Sequence, residues 1–488
     1  MSAQLLSQWI VRGDRNGLLD QTQTLVREGV LPAERAVLNA AWSALAEGDV
    51  PYADRLLPTN LTLLGDRQWS PAAEGALIRA LCAYACGDLD SARTHAGLAH
   101  VGLAGAARSL LLHAVLLLQA SIAMHHFDLD GVLAVRQQLG PDHHDESVWS
   151  TAVEAIVSVA TGDFDAGVSF GERSLALADA EQVGPHLTPY VVGVLIAAVY
   201  RDRGSCGQTR VAVTEASRQL AHYPHLPLLL ELRSLDAHSH LDLHDGEPVE
   251  AIAHAVALGS HPNGSPEFQD LIDLREAHLQ IRSHDLTRAR VLLDRLGNSS
   301  TRVFLEAYID AESRPSRTLA QISTGAHRWH SQHIEIEMIR ARARNREPDS
   351  AAVHMWRALD QASESGAIRP LLDNPMAARH FDHPELKAVL ERTRDYGSDA
   401  AEAHLARVLA VHEEHAITGP RSHALTAREL EVLRAVVAAG DFASVAKVMV
   451  LSRWTVRGHF YAACRKLGVS GREAAVVRLR QIDQPRRH

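Results

Sequence analysis

Three side chains able to grip a polyanion recur at four-residue steps near the end of the chain: Arg453, Arg457 and Tyr461. A guanidinium is a planar fork of donors that matches the paired acceptors of a guanine edge. Thr455 and His459 stand beside them and suit phosphate oxygens, contacts that position a protein without reading sequence. Arg465 and Lys466 add cationic attraction further along. A second set, Val456, Phe460, Ala463 and Leu467, falls at i, i+4, i+7 and i+11, an apolar helical stripe. The spacing therefore predicts one helix with a buried seam and a basic, hydrogen-bonding outer face. Such a helix fits the major groove of double-stranded DNA.

Other elements must hold that helix. Thr426 and Glu429 form a capping box, in which the hydroxyl caps the helix start and the carboxylate returns to the cap amide. The helix it opens is expected to run to about Ala438, with Leu430, Leu433 and Val437 on one face and Gly440 as its stop. A second short helix, about Ala443 to Met449, offers Val445, Ala446 and Met449, and Ser452 caps the third. Charge follows the same division. From Arg421 onward 13 Lys and Arg face 5 Asp and Glu, so +8 sits on a tail whose 420-residue body carries −18. A basic tail on an acidic body fits a tail that meets phosphate.

The tail resembles the LuxR/GerE-type reader. It supplies Leu425-Thr426-Ala427-Arg428-Glu429, Val445-Ala446, Thr455-Val456-Arg457-Gly458-His459, Lys466-Leu467-Gly468-Val469 and Arg472-Glu473-Ala474-Ala475, in the family's order and spacing. The resemblance implies a small four-helix domain over 423–482, followed by a 483–488 tail. The expected DNA contacts are Arg453, Trp454, Thr455, Val456, Arg457, Gly458, His459, Tyr461, Arg465 and Lys466, and the resemblance implies that Arg457, Gly458 and Tyr461 meet base edges. A final helix, about Arg472 to Gln481, would supply a dimer contact through Val476, Val477 and Leu479. Three positions depart from the pattern. Ser444 replaces an expected Glu, one residue is missing between Gly440 and Val445, and Gly458 interrupts the reading helix at about 1 kcal/mol against Ala. Trp454 is an unusual bulk that either wedges at a sugar or base methyl or packs on a neighbouring domain.

A different pattern fills the body. A small residue, Gly-Asp or a near equivalent, and another small residue recur as Ala46-Glu47-Gly48-Asp49 with Ala53, as Ala85-Cys86-Gly87-Asp88 with Ala92, and as Thr161-Gly162-Asp163 with Ala166. Degenerate copies are His126-Phe127-Asp128, Arg203-Gly204-Ser205, His244-Asp245-Gly246 and Ser283-His284-Asp285. Glycine can end one helix in a left-handed turn, Asp can cap the next, and the small residue lets the pair approach. Intervals of roughly 35–42 residues suit stacked helix–turn–helix repeats. The pattern resembles tetratricopeptide repeats. Ala358-Leu359-Asp360-Gln361-Ala362 and Gly366 to Asp373 resemble the close of the helical domain in large MalT-type regulators of the LuxR superfamily. Those regulators carry an ATPase domain; here Gly204 to Thr209 lacks the Lys and frame of a phosphate loop.

The expectation is an all-α chain: a TPR-like helical-repeat solenoid over 1–395, a linker over 396–422 containing a helix from Ala400 to His415, and the reader. Abundant Ala and Leu, with aromatics at only 5%, agree with helix. Cys82, Cys86, Cys206 and Cys464 have neither zinc nor disulfide-framework spacing, and the 29 histidines lack convergent acidic or Cys partners, so no metal or cofactor is expected. The residues show no catalytic arrangement, and the N-terminus lacks a secretory signal, which points to a cytoplasmic protein; the LuxR resemblance implies a bacterial-type one. The functional expectation is a DNA-binding transcription regulator that is not an enzyme and acts as a homodimer on DNA, with the array binding a ligand, peptide or protein. The alternative is a TPR-like interaction scaffold whose degenerate helix-turn-helix contacts protein.

Overall fold

The computed structural model describes residues 9–10, 12, 15–29, 33–57, 70–103, 110–139, 147–187, 189–221, 223, 225–243, 253, 256–261, 264–283, 285–297, 300–311, 313–323, 329–344, 347–373, 391, 393–418, 427–439, 441–449, 456, 460 and 463–464. Among them are helices and turns and no strand. Contacts divide the chain into a body, residues 1–242 and 246–411, and a second unit, residues 412–488 with 243–245.

In the body, helices come as hairpins: α1 (Arg15–Arg27), then α2 (Ala33–Ala46) with α3 (Val50–Leu56), α4 (Pro71–Cys86) with α5 (Leu89–Leu103), and α6 (Leu110–His125) with α7 (Leu129–Leu139). α8 (Val148–Thr161) pairs with α9 (Phe164–Glu181), and α10 (Val191–Asp202) with α11 (Cys206–Gln219). The leading helices of successive hairpins also touch, α2 on α4, α4 on α6, α6 on α8 and α8 on α10. This stacking buries stripes that no single hairpin could cover. Trp42 and Trp149 are fully buried within it.

The hairpin turns follow the chemistry of the repeated motif. Gly48, Gly87, Gly162 and Gly204 all have positive φ. Asp49, Asp88, Asp128, Asp163 and Asp285 each accept a hydrogen bond from the amide three residues on. Four residues after the cap, Ala53, Ala92, Val132 and Ala289 are all buried at 0% exposure. In the third copy that place belongs to Gly167, not Ala166: a Cβ there would lie 2.4 Å from Val159 Cγ2. His244 to Gly246 lie outside the described residues.

The second half of the body runs through α12 (Leu226–Leu243), α13 (Pro266–Arg282) with α14 (Leu286–Leu293), α15 (Ser300–Asp310) with α16 (Pro315–Ser323), α17 (His330–Ala343) with α18 (Pro348–Ser365), and the short α19 (Arg369–Leu372). It meets the turns of the first half one after another. Phe268 sits on Gly87, and Ser265 N donates to Cys86 O at 2.9 Å. His330 sits on Gly162, and Ile368 N donates to Asp202 O at 2.6 Å beside Gly204. The turn lacking glycine is Phe127, left-handed at φ 53; its ring meets Trp329 edge-on at 5.8 Å and lies under Arg275. Here the side chain is needed, which offsets a backbone strain of roughly 1–2 kcal/mol.

A buried ionic cluster joins the two halves. Arg201 pairs with Asp373; Arg282 pairs with Asp242 and, at 2.8 Å, with Asp373; Arg369 reaches Asp242 at 3.1 Å. Arg201, Asp242, Arg369 and Asp373 are all buried. Burial, with the Asp373 and Asp202 carboxylates nearby, pushes the partly buried Glu335 up to about 8. Burial likewise raises Asp202 to about 7, against the opposing Arg201.

Residues 396–422, read from the sequence as a linker, carry α20 (Asp399–Thr418). Its start is held by the body. Ser398 N and Oγ donate to Asp360 Oδ1 at 3.2 and 2.6 Å, His404 Nε2 donates to Ala367 O at 2.7 Å, and Ala401 and Val408 are buried. The division between the two units falls inside this helix.

Candidate nucleic-acid interface

Besides Leu243 and residues 412–418 of α20, the described part of the second unit comprises two helices, residues 441 and 449 at their margins, and four residues of a third segment. α21 spans Ala427–Ala439 and α22 spans Phe442–Val448. Glu429 is the third residue of α21, where a capping box places its carboxylate; its partner Thr426 lies outside the described residues. α22 begins because Asp441 Oδ1 accepts from Ser444 N at 2.8 Å, an N-cap that sequence reasoning missed although Asp is a preferred cap type. Ser444 thus serves through its backbone, and its side chain is exposed.

These elements close one apolar core. Val432, Leu433 and Val436 from α21 and Val445 and Ala446 from α22 enclose Val456, Phe460, Ala463 and Cys464, all buried. Phe442 meets Phe460 edge-on at 5.3 Å, and Val437 and Met449 pack at the margin. The expected seam is present at Val456, Phe460 and Ala463. Cys464 extends it; its i+8 and i+4 spacing from Val456 and Phe460 was the available signal. Burial raises its thiol pKa, which makes it an inert core group.

Val456 requires correction as a DNA contact. Its exposure is 0%, so its isopropyl group packs the core and cannot touch a base or phosphate. Arg453, Trp454, Thr455, Arg457, Gly458, His459, Tyr461, Arg465 and Lys466 lie outside the described residues. So do Leu467, the expected cap Ser452 and the expected dimer residues Val476, Val477 and Leu479.

Two successive helices packed at right spacing on a third segment with a buried seam are the parts of a helix-turn-helix DNA-binding domain. Residues 423–479 match the family model described as bacterial regulatory proteins, luxR family. This C-terminal segment is a LuxR-family helix-turn-helix domain, and that family supports a DNA-binding transcription regulator. No curated protein matches the chain. No described helix is long and apolar enough to cross a membrane.

Proposed function

We propose that the chain reads double-stranded DNA through the major groove with its C-terminal domain, while the helical body sets when it does so. The observation that carries this reading is the inward packing of Val456, Phe460, Ala463 and Cys464 inside a LuxR-family segment. On a helical wheel of period 3.6, the sequence positions Gly458, Trp454, Tyr461 and Arg465 fall on the side away from those four. On that wheel Arg457 falls at the flank, between Cys464 and Tyr461, and is proposed to fork onto a guanine. Gly458, with no side chain, lets a backbone approach closely. On that wheel Arg453 falls between Phe460 and Cys464, at the start of the segment, and is assigned, with Thr455, His459 and Lys466, to phosphates.

The body, a TPR-like repeat domain over 1–395, is proposed to bind an effector, and residues 396–422 to couple it to the reader. One small reader gives limited affinity, so two copies on two half-sites supply the rest, with Val476, Val477 and Leu479 as their contact. The test selects duplexes from a random pool with the full chain, then titrates the enriched duplex over a salt series. A specific reader enriches a sequence and loses affinity steeply as salt rises. Absence of any enrichment at low ionic strength overturns the reading.

A further inference from the structure

The body holds the first part of α20 through a narrow apolar seam. Ala401 and Val408 are buried, and the half-buried Leu405, Leu409 and Val411 pack against the body core. Two turns meet this seam. A Cβ on Gly204, in the α10–α11 turn, would lie 3.6 Å from both Val411 Cγ1 and Ile368 Cγ2. One on Gly366, which ends α18, would lie 3.8 Å from Arg203 Nε and 4.0 Å from Arg407 Nη2. With so few apolar side chains in the joint, one buried charge is enough to decide it.

His404 stands in that seam at 2% exposure. Its Nε2 lies 2.7 Å from Ala367 O, which can only accept, so the neutral ring carries its proton on Nε2. Nδ1 is buried and has no hydrogen-bond partner among the described residues. A second proton would go to Nδ1 and leave a buried charged donor unsatisfied. The charges around it offer no compensation. Arg407, one turn along α20, and Arg203, from the α10–α11 turn, are both cations and both approach Gly366. Arg369 of α19 is a third, paired with Asp242 at 3.1 Å. The nearby acids are engaged elsewhere. Asp165 holds Arg203 at 2.8 Å, Asp202 stands 3.5 Å from Arg201, and Asp360 takes the Ser398 donors. Glu402 pairs with Arg394, and Glu364 acts on His330. Burial lowers the His404 pKa; the bond to Ala367 acts the other way, and the Arg407 charge adds to the lowering.

We propose that His404 is a proton-sensitive latch: the neutral ring fastens α20 to the body at Ala367, and protonation releases residues 399–411. The latch deepens the proposed coupling of body to reader through residues 396–422, and it rests on that reading only for its effect on DNA binding. In the released helix the ring meets water and regains its ordinary pKa of about 6.5. Docking is therefore complete above about pH 6.5 and weakens below it, by at most about tenfold per pH unit for one proton. The test follows hydrogen–deuterium exchange of the full chain from about pH 7.5 to about pH 5.5, with rates corrected for the intrinsic pH dependence of exchange. Amides 401–411 are expected to lose protection severalfold while those of α4 and α8 keep theirs. His404→Gln retains a donor for Ala367 O and cannot take a proton, so its α20 should stay protected throughout. Arg407 is exposed, so Arg407→Gln should fold as the natural chain does, and by removing a facing cation it should shrink the acid loss. Protection of α20 that ignores pH in the natural chain, or an equal acid loss in His404→Gln, overturns the latch. So does a loss shared by α4 and α8, which marks general unfolding. Should His404→Gln release α20 at every pH, an undiminished loss in Arg407→Gln overturns it. The exchange arm needs no DNA. A chain whose α20 responds to acid but which binds no duplex overturns the reader alone; a chain that binds its duplex while α20 ignores acid overturns the latch alone.

Discussion

Phe460 and Arg457 lie three residues apart, and their substitutions should fail in different ways. Phe460 is buried at 2% exposure in a core of few side chains. Phe460→Ala should destabilise the second unit by about 3–5 kcal/mol, enough to unfold so small a core. Loss of its helical circular dichroism and of DNA binding together would be the signature. Arg457→Ala should leave that signal unchanged and weaken the selected duplex by about 1–3 kcal/mol, with little change on random DNA. Equal affinity for both duplexes, before and after substitution, would remove Arg457 from base reading. The pair was legible in the sequence because a helix repeats every 3.6 residues, which separates seam from surface without knowledge of neighbours. Val456 shows the limit of motif transfer: it belongs to the matched motif, yet its position in the seam sends it inward.

At the scale of elements, the repeat turns do two jobs. Gly87 ends α4 in the left-handed region at φ 85, and a Cβ there would stand 2.3 Å from Phe268 Cδ2. Gly29 has a similar φ of 67 with nothing within 4 Å. Gly29→Ala should therefore cost only backbone strain, about 1 kcal/mol, while Gly87→Ala adds a clash and should cost about 1–3 kcal/mol more. Chemical denaturation of both variants checks this; equal losses would mean that Phe268 yields freely. The turns themselves were readable, since Gly followed by Asp is a local rule of helix ends. That Phe268, His330 and Ile368 would come to rest on them was not, because nothing in a turn's own sequence records its distant neighbour.

For the whole molecule, the ionic cluster makes stability depend on pH. Glu335, at about 8, and Asp202, at about 7, hold protons in the folded body at pH values where an unfolded carboxyl, near 4, has lost them. The native state therefore binds more protons, and stability falls as pH rises from about 4 toward these values. The half-buried His126 and the buried His186, lowered to about 4, and His278, lowered to about 3, act in the other direction. Unfolded histidines take protons that these refuse, so this share of stability is present above about 6.5 and lost below it. The two slopes oppose one another below about pH 6.5, and above it only the carboxyls act. The thermal midpoint should thus decline between about pH 7 and 8, and Glu335→Gln, which mimics the protonated acid, should flatten that decline. An unaltered alkaline slope in the variant would exclude Glu335 as its source.

Local chemistry was enough to establish the helical character of the chain, the turn motif of its hairpins and the helix-turn-helix tail. Each depends on residues within about one or two helical turns of one another, where spacing alone decides which side chains meet. Tertiary structure alone decided that the second half of the body covers the turns of the first. It also decided that Arg201 pairs with Asp373, 172 residues away, and that part of the expected linker is fastened to the body. Such contacts are chosen by burial and charge among segments far apart in the chain, and they leave no periodic trace along it.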